Sequence, residues 1–446
     1  METLPERLDA VPEPVEEQRL DAVSPATTTV DAFPPATSTV DEPAAVPVRI
    51  RRRTRTQTRR RTRISAATRQ ELLWVAVVYL ATRGVLLLTA YLFGTFGHHN
   101  FLDELANWDG LWYRKLANHG YPTYASHLQT TLGFFPLFPI AIWILEPAFS
   151  VLTGHAAIWS NTVAGVVISM TGGLIATTLV YRLAAGWWNR ESARRAAILF
   201  CVFPGSVVFS MVYSEGILLP LAAGCIYALQ QRRWLLGGIL AGLGTAVGPT
   251  ALVLIPVCVV SAAMEWRRCG WSLRRARRAL VAPVLSLSGV GAFAVFLWIW
   301  TGTPFANYEA QHHGWSEKTD LLAMVHVATR LFSEISFSHF DEPTINLNLV
   351  VGLVGALLLI GMLALICSAR RTISIEAIVW TLGISFLALT SQYVSPNPRM
   401  LLTAFPALMV TAHYFRGKWF NALVWANGVL LIVLSALTFY GTTLRP

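Results

Sequence analysis

Three apolar blocks, at 72–96, 156–181 and 347–369, decide what this chain can fold into. Each is close to the ~20 residues that a helix needs to cross a ~30 Å hydrocarbon core. Lipid offers no partner to a backbone N–H or C=O, so stretches this long and this apolar must satisfy themselves as helices. A membrane barrel would need alternating polarity, which they lack. Of 446 residues 54% are hydrophobic and 13% charged, with the charges largely outside the blocks, and this excludes an ordinary soluble core. The expected fold is an all-α polytopic membrane protein.

Charge divides the chain further. Residues 1–48 are acidic and rich in Pro, Ala and Thr, with an imperfect repeat from Pro25 to Ala32 and from Pro35 to Glu42. Such a segment cannot bury enough apolar surface to offset its ordering entropy, so a disordered tail is expected. Residues 49–63 then carry nine arginines and no acid, directly before the first block. Nucleic acid is the rival partner for such a run. Its place beside a membrane helix favours an orientation signal held against anionic lipid, with the N-terminus cytoplasmic and no nucleic-acid partner. The first block starts too late and runs too long for a cleavable signal peptide. The organisation read from this is a tail (1–48), a basic juxtamembrane segment (49–70) and one membrane domain (71–441). Four of the five cysteines lie in apolar segments and Cys269 lies in an Arg-rich loop, so no disulfide frame or zinc spacing is present.

The remaining basic clusters, at 182–195, 232–233, 267–278, 370–371 and 416–418, belong on the cytoplasmic side by the positive-inside rule. For this to hold, 235–263 must break at Gly248-Pro249 into two short crossings. Likewise 135–153, with Pro136, Pro139 and Pro147, must be a re-entrant or interfacial helix covered by protein. Eleven crossings result, near 71–96, 156–181, 196–213, 216–230, 235–247, 249–263, 280–300, 345–369, 373–394, 400–415 and 419–441, with the C-terminus outside. A rival count makes 135–153 a full span and 235–263 a single one, at the expense of placing Arg190, Arg194 and Arg195 outside. Under the first count the polar, non-basic features face outwards together: the 97–134 loop, Tyr213-Ser214-Glu215, the Gly248-Pro249 turn, the 301–344 loop and 395–399.

Those features contain the candidate site. Apolar positions in 102–117 suit a short helix in the interface plane, and it carries Asn107-Trp108-Asp109-Gly110-Leu111-Trp112-Tyr113. A carboxylate at Asp109 could accept the proton of a sugar hydroxyl, or it could cap a helix. Asp103 and Glu104 precede it, and the aromatics Trp108, Trp112, Tyr113 and Tyr121 surround it as candidate substrate contacts. Arg83 lies midway along the first block, where an ionisable group costs roughly 2.5–3.5 kcal/mol and wants a partner, either Glu146, Glu215 or a ligand phosphate. Glu215, beside Tyr213, could orient a hydroxyl, pair with Arg399 or cap a turn. Arg399 is an external arginine isolated from other bases, and its planar fork suits phosphate. Lys318, His312 and His313 are further candidates for an anion. The paired histidines lack a carboxylate at ligand spacing, so no metal is expected.

With these residues in place, the chain resembles the GPI mannosyltransferase 2 (PIG-V) family, in its bacterial branch, within the GT-C superfamily of membrane glycosyltransferases. The matching pieces are Trp108-Asp109 with Ala117 and Gly120-Tyr121, then Phe134-Phe135-Pro136-Leu137-Phe138-Pro139, Tyr213-Ser214-Glu215, and Pro398-Arg399 followed by Phe405-Pro406. Two positions depart from the family pattern: Pro122-Thr123-Tyr124-Ala125 lacks an acid, and Thr245-Ala246-Val247-Gly248 lacks an arginine. The resemblance implies a GT-C fold and a polyprenyl-phosphate sugar donor, with mannose as the sugar. It also implies inverting transfer on the outer face to a glycan or glycolipid acceptor, with no cofactor. Asp109 would be the base, and Arg399, with Arg83 and Lys318, would meet the donor phosphate. A transporter or flippase of a lipid-linked saccharide is the alternative. It would show paired half-sequences with matching helix breaks, and only one Gly-Pro break is present.

Overall fold

In the computed structural model, which describes residues 66–97, 100–124, 128–154, 156–337, 346–391, 396–441 and 444–445, the first apolar block is one helix, α1 (Ala66–Phe96). Its buried positions, Val75, Tyr79, Leu86 and Ala90, recur at helical spacing, while Val77, Leu80, Leu88 and Tyr91 on the other faces are exposed. A helix apolar all round, with only one side packed on protein, suits a lipid environment. The expected disordered tail and most of the basic segment lie outside the described residues.

The interfacial helix expected over 102–117 is two helices, α2 (Phe101–Glu104) and α3 (Asp109–His119). The break has a local cause: Trp108 has φ 61° and ψ −118°, which no right-handed helix contains. Helix α4 (Leu137–Ser150) follows a proline and packs on the long α5 (Ala157–Trp187). Next comes α6 (Arg190–Val202), whose N-terminus is capped by Asn189 accepting from the Ser192 N–H at 2.9 Å. The segment expected as a span at 196–213 is bent and not one straight helix. Phe203 precedes Pro204 and is extended, so α6 stops there and a tight turn over Pro204–Ser210 leaves it at 72°.

Helix α7 (Glu215–Gln230) packs against α5 with backbone nearly touching backbone: a Cβ on Gly172 would fall 1.6 Å from the Gly216 carbonyl oxygen. Helix α8 (Trp234–Thr245) ends before Gly248-Pro249, and a tight turn over Pro249–Val253 leads into α9 (Leu254–Arg268), the break read from the Gly-Pro pair. Then come α10 (Leu273–Ala276), α11 (Val281–Ser286), α12 (Ser288–Thr301), α13 (Ala306–Glu309), α14 (Ala323–Phe337), α15 (Leu347–Ala369) and α16 (Ile375–Thr390). The span expected at 400–415 is split into α17 (Pro398–Thr403) and α18 (Phe405–Tyr414) at Ala404, with Pro406 starting the second piece. The last helix is α19 (Gly417–Gly441).

Among the described residues, six segments are long and apolar enough to cross a membrane: most of α1, α5, α9 with the turn before it, α11 with α12, α15, and most of α19. The bent α6 segment passes the same test, and α4, α7, α8 and α16 are shorter apolar helices. Eleven crossings are compatible with this set. The chain is a multi-pass, all-α membrane protein. Among the described residues the extended pairing is a single bridge, Thr319 with Ser391.

Candidate active site

Three segments far apart in sequence are fastened together around Asp109. The first is the α2–α3 connection, where the turn at Trp108 places Asp109 as the first residue of α3. The second is the chain entering α7. The Val212 N–H donates to the Leu105 carbonyl at 2.8 Å, and Tyr113 donates its phenol to Ser214 Oγ at 2.8 Å. The third is the start of α17. Asn397 caps it by accepting from the Met400 N–H at 3.0 Å, and Pro398 supplies a first residue that needs no N–H partner. Gly205, in the turn after α6, lets this start come close, since a Cβ there would lie 2.1 Å from the Pro398 carbonyl oxygen.

The result is a small charged cluster. Arg399 donates from Nη1 to Asp109 Oδ2, and its Nε lies 3.4 Å from Glu215 Oε1. The Tyr213 ring sits against the guanidinium, with the centroid 5.3 Å from Cζ. Side-chain exposures are 32% for Asp109, 15% for Arg399 and 10% for Glu215, so the aspartate is the member open to an incoming group. Glu215 Oε2 is buried and has no hydrogen-bond partner among the described residues. Two carboxylates share one guanidinium, and such a site has acceptor capacity to offer a hydroxyl donor.

Tyr113 links this cluster to a group of packed aromatic side chains. Tyr113 packs edge-on to Phe134 and Phe138, at 5.1 and 4.8 Å between centroids. Burial pushes its phenol well above the ordinary range, and the nearby Asp109 and Glu215 charges add to the effect, so it acts as a neutral donor. Trp112 stacks on Phe134 at 5.9 Å and meets Trp315 edge-on at 5.0 Å. Tyr121 donates to the Phe134 carbonyl at 2.8 Å and packs on Phe293 and Phe296. Burial raises its phenol too, with Tyr113 next in effect. Trp108 packs against the main core, and its backbone is of a kind that costs about 1–3 kcal/mol.

Other candidates stand elsewhere. Asp103 pairs with Arg114 at 2.9 Å, and the buried Glu104 accepts from the Asn107 side chain, so both brace the loop that carries Asp109. Arg83 pairs with neither Glu146 nor Glu215. Its guanidinium is buried between the Tyr79 and Phe209 rings and donates to the Ser206 and Cys201 carbonyls and to Ser206 Oγ. Glu146 accepts instead from Ser160 Oγ. A mid-helix arginine met by carbonyls freed at the end of α6 needs no anion. Lys318 is exposed and makes no bond to Asp109, Glu215 or Arg399; its neighbour Asp320 donates its N–H to the Thr390 carbonyl at 2.7 Å. His312 stacks on Tyr308, and among the described residues no three His, Cys, Asp or Glu side chains gather as a metal set.

Two features escaped the sequence reading. Arg445 holds its guanidinium over the Trp108 ring, 5.5 Å from the centroid. A lone arginine so far along the chain carries no pattern that could have announced this. The second is an apolar groove of about 910 Å³ that starts at the C-terminal half of α3 and is lined by Ala117, Tyr121, Pro139, Leu243, Gly289 and Phe296 among others.

Residues 95–312 match the model of the family described as mannosyltransferase (PIG-V). The match covers 218 of the 446 residues, just under half of the chain, and over that stretch the chain is similar to the PIG-V mannosyltransferases. Asp109, Tyr213 and Glu215 fall inside the matched PIG-V stretch, and Arg399 lies beyond it. GPI alpha-1,6-mannosyltransferase 2 of Mus musculus is 26% identical over 157 residues, 34% of this chain and 30% of the mouse protein. GPI mannosyltransferase 2 of Drosophila pseudoobscura pseudoobscura is 29% identical over 117 residues, 26% of this chain and 25% of that protein. The chain therefore matches less than a third of the length of those curated relatives. Among solved structures, ArnT from Cupriavidus metallidurans bound to undecaprenyl phosphate is similar at a TM-score of 0.48 and 12% identity, over 82% of this chain and 70% of that one.

Proposed function

We propose that this chain is an integral-membrane mannosyltransferase that moves mannose from a polyprenyl-phosphate donor to an acceptor hydroxyl on the outer face, with inversion. The observation that carries the reading is the cluster in which Asp109 and Glu215 share Arg399. In the reaction the acceptor oxygen bonds to the anomeric carbon as the carbon–oxygen bond to the donor phosphate breaks. The proton passes to the Asp109 carboxylate, and the electron pair leaves on the phosphate oxygen. A positioned carboxylate suits the first task. The planar guanidinium of Arg399 suits the second, because it can meet phosphate oxygens in a fork. Glu215 Oε2, buried and without a partner among the described residues, would accept from a sugar hydroxyl. The apolar groove fits the hydrocarbon tail of a lipid-linked substrate. With a rise of 1.5 Å per residue, its start on α3 lies about 10–15 Å from Asp109.

The test is transfer itself. Purified protein given radiolabelled polyprenyl-phosphate mannose and an acceptor-containing membrane extract should release polyprenyl phosphate in step with mannose incorporation. Movement of intact donor across a vesicle without release would overturn the reading in favour of a carrier. Sidedness is checked separately: in a cysteine-free background, a cysteine placed at the exposed His313 should label in intact cells with an impermeant reagent.

A further inference from the structure

We infer that Arg445 clamps Trp108 and thereby positions Asp109 against Arg399; the inference rests on the mannosyltransferase reading for the activity it affects. Trp108 is a bulky residue held at φ 61° and ψ −118°, a conformation that side chains with a Cβ rarely adopt, and the next peptide carries Asp109. The indole N–H is buried without a hydrogen-bond partner among the described residues. The ring is held instead by apolar packing against the main core and by the Arg445 guanidinium above its face.

Arg445 is itself anchored. Its backbone N–H donates to Asn348 Oδ1 at 3.0 Å, in the first turn of α15, and the Leu444 side chain before it is buried. A short piece of chain thus bridges the start of α15 to the residue that turns α2 into α3. Removing the cation from the ring releases one restraint on the Trp108 turn. The direct consequence is at Asp109, whose direction depends on that turn. Arg445 is therefore a positioning residue, acting through Trp108.

A double-mutant cycle on the full chain in detergent tests this, read in turnover of polyprenyl-phosphate mannose and in thermal melting. Arg445→Ala should lower kcat about tenfold while donor KM shifts less than about twofold. Arg445→Lys, which keeps a cation for the ring, should recover most of the loss. Arg445→Ala combined with Trp108→Leu should turn over no more slowly than Trp108→Leu alone, and melting should show the same non-additivity. Trp108→Phe, which keeps an aromatic face, should remain sensitive to Arg445→Ala and serves if the leucine variant does not fold. Multiplicative effects on turnover, or additive effects on melting, would overturn the clamp. A rise in donor KM at constant kcat would also overturn it, since Arg445 would then contact the donor directly. If the wild-type chain transfers no mannose, the functional reading falls, while the melting cycle still decides whether Arg445 and Trp108 are coupled.

Discussion

Arg399 reaches back across 290 residues of sequence to donate to Asp109. The contact joins the start of α17 to the start of α3, and it leaves the aspartate partly open to solvent. A donor phosphate arriving at the same guanidinium would compete with Asp109 for it, and the carboxylate would then be free for the acceptor proton.

Asp109→Asn keeps size and most hydrogen bonding but cannot take that proton. Initial rates of mannose transfer should fall by roughly 10²–10⁴-fold, with the protein still inserted and still binding donor. Asp103→Asn and Glu104→Gln should be milder, because those carboxylates brace the loop through Arg114 and Asn107. Near-normal transfer by Asp109→Asn, with loss in Glu215→Gln, would reassign the base.

Arg399→Ala should raise donor KM by roughly 10–100-fold, the scale of lost hydrogen bonds to a charged group. Arg399→Lys should restore only part, since an ammonium lacks the planar fork. Steady-state kinetics across donor concentrations separates this from Asp109→Asn, whose defect lies in kcat.

Arg83 should behave differently from Arg399, because its donors go to carbonyls and Ser206. Arg83→Met leaves buried acceptors unpaired and should destabilise the fold by roughly 2–4 kcal/mol, seen as a lower melting temperature. Donor KM, measured on the folded fraction, should not move. A KM shift without destabilisation would return Arg83 to the phosphate.

Tyr113 and Tyr121 give a pH dependence with a definite sign. Both phenols have folded-state values raised well above 10 by burial first, whereas an unfolded phenol ionises near 10. The unfolded state therefore loses its proton first, and the stability these residues contribute is full below about pH 10 and declines above it. Melting temperature should drop between pH 10 and 11, and the drop should be shallower in Tyr113→Phe and Tyr121→Phe. An equal slope in all three proteins would contradict it.

How far the sequence alone carries can be judged residue by residue. Blocks 72–96 and 347–369 coincide closely with α1 and α15, because length and apolarity are all a spanning helix requires. The segments at 196–213 and 400–415 are bent or split near Pro204 and Pro406 where a continuous apolar run suggested one straight helix, and the single helix at 102–117 breaks at the backbone of Trp108, which hydropathy does not register. Within the site, pairing of Glu215 with Arg399 was legible, since an isolated outer arginine wants an anion. Asp109 as a second partner was not, because nothing periodic links positions so far apart. Arg83 misled for the opposite reason: its partners are backbone carbonyls, and every residue type carries those.

The Gly172–Gly216 contact, where two helices meet backbone to backbone just below the Tyr213–Glu215 turn, bears on how a genetic screen of this protein would be interpreted. Alleles at these glycines would score as null while touching no substrate, and they would sit in the map beside true chemical lesions at Asp109 and Arg399. The amount of folded protein sorts the two groups. A Cβ on Gly216 would meet the Ser169 Cα at 2.4 Å and one on Gly172 the Gly216 carbonyl oxygen at 1.6 Å, so no trimmed side chain relieves either clash and these alleles lose the folded protein, whereas lesions at Asp109 and Arg399 leave it in the membrane.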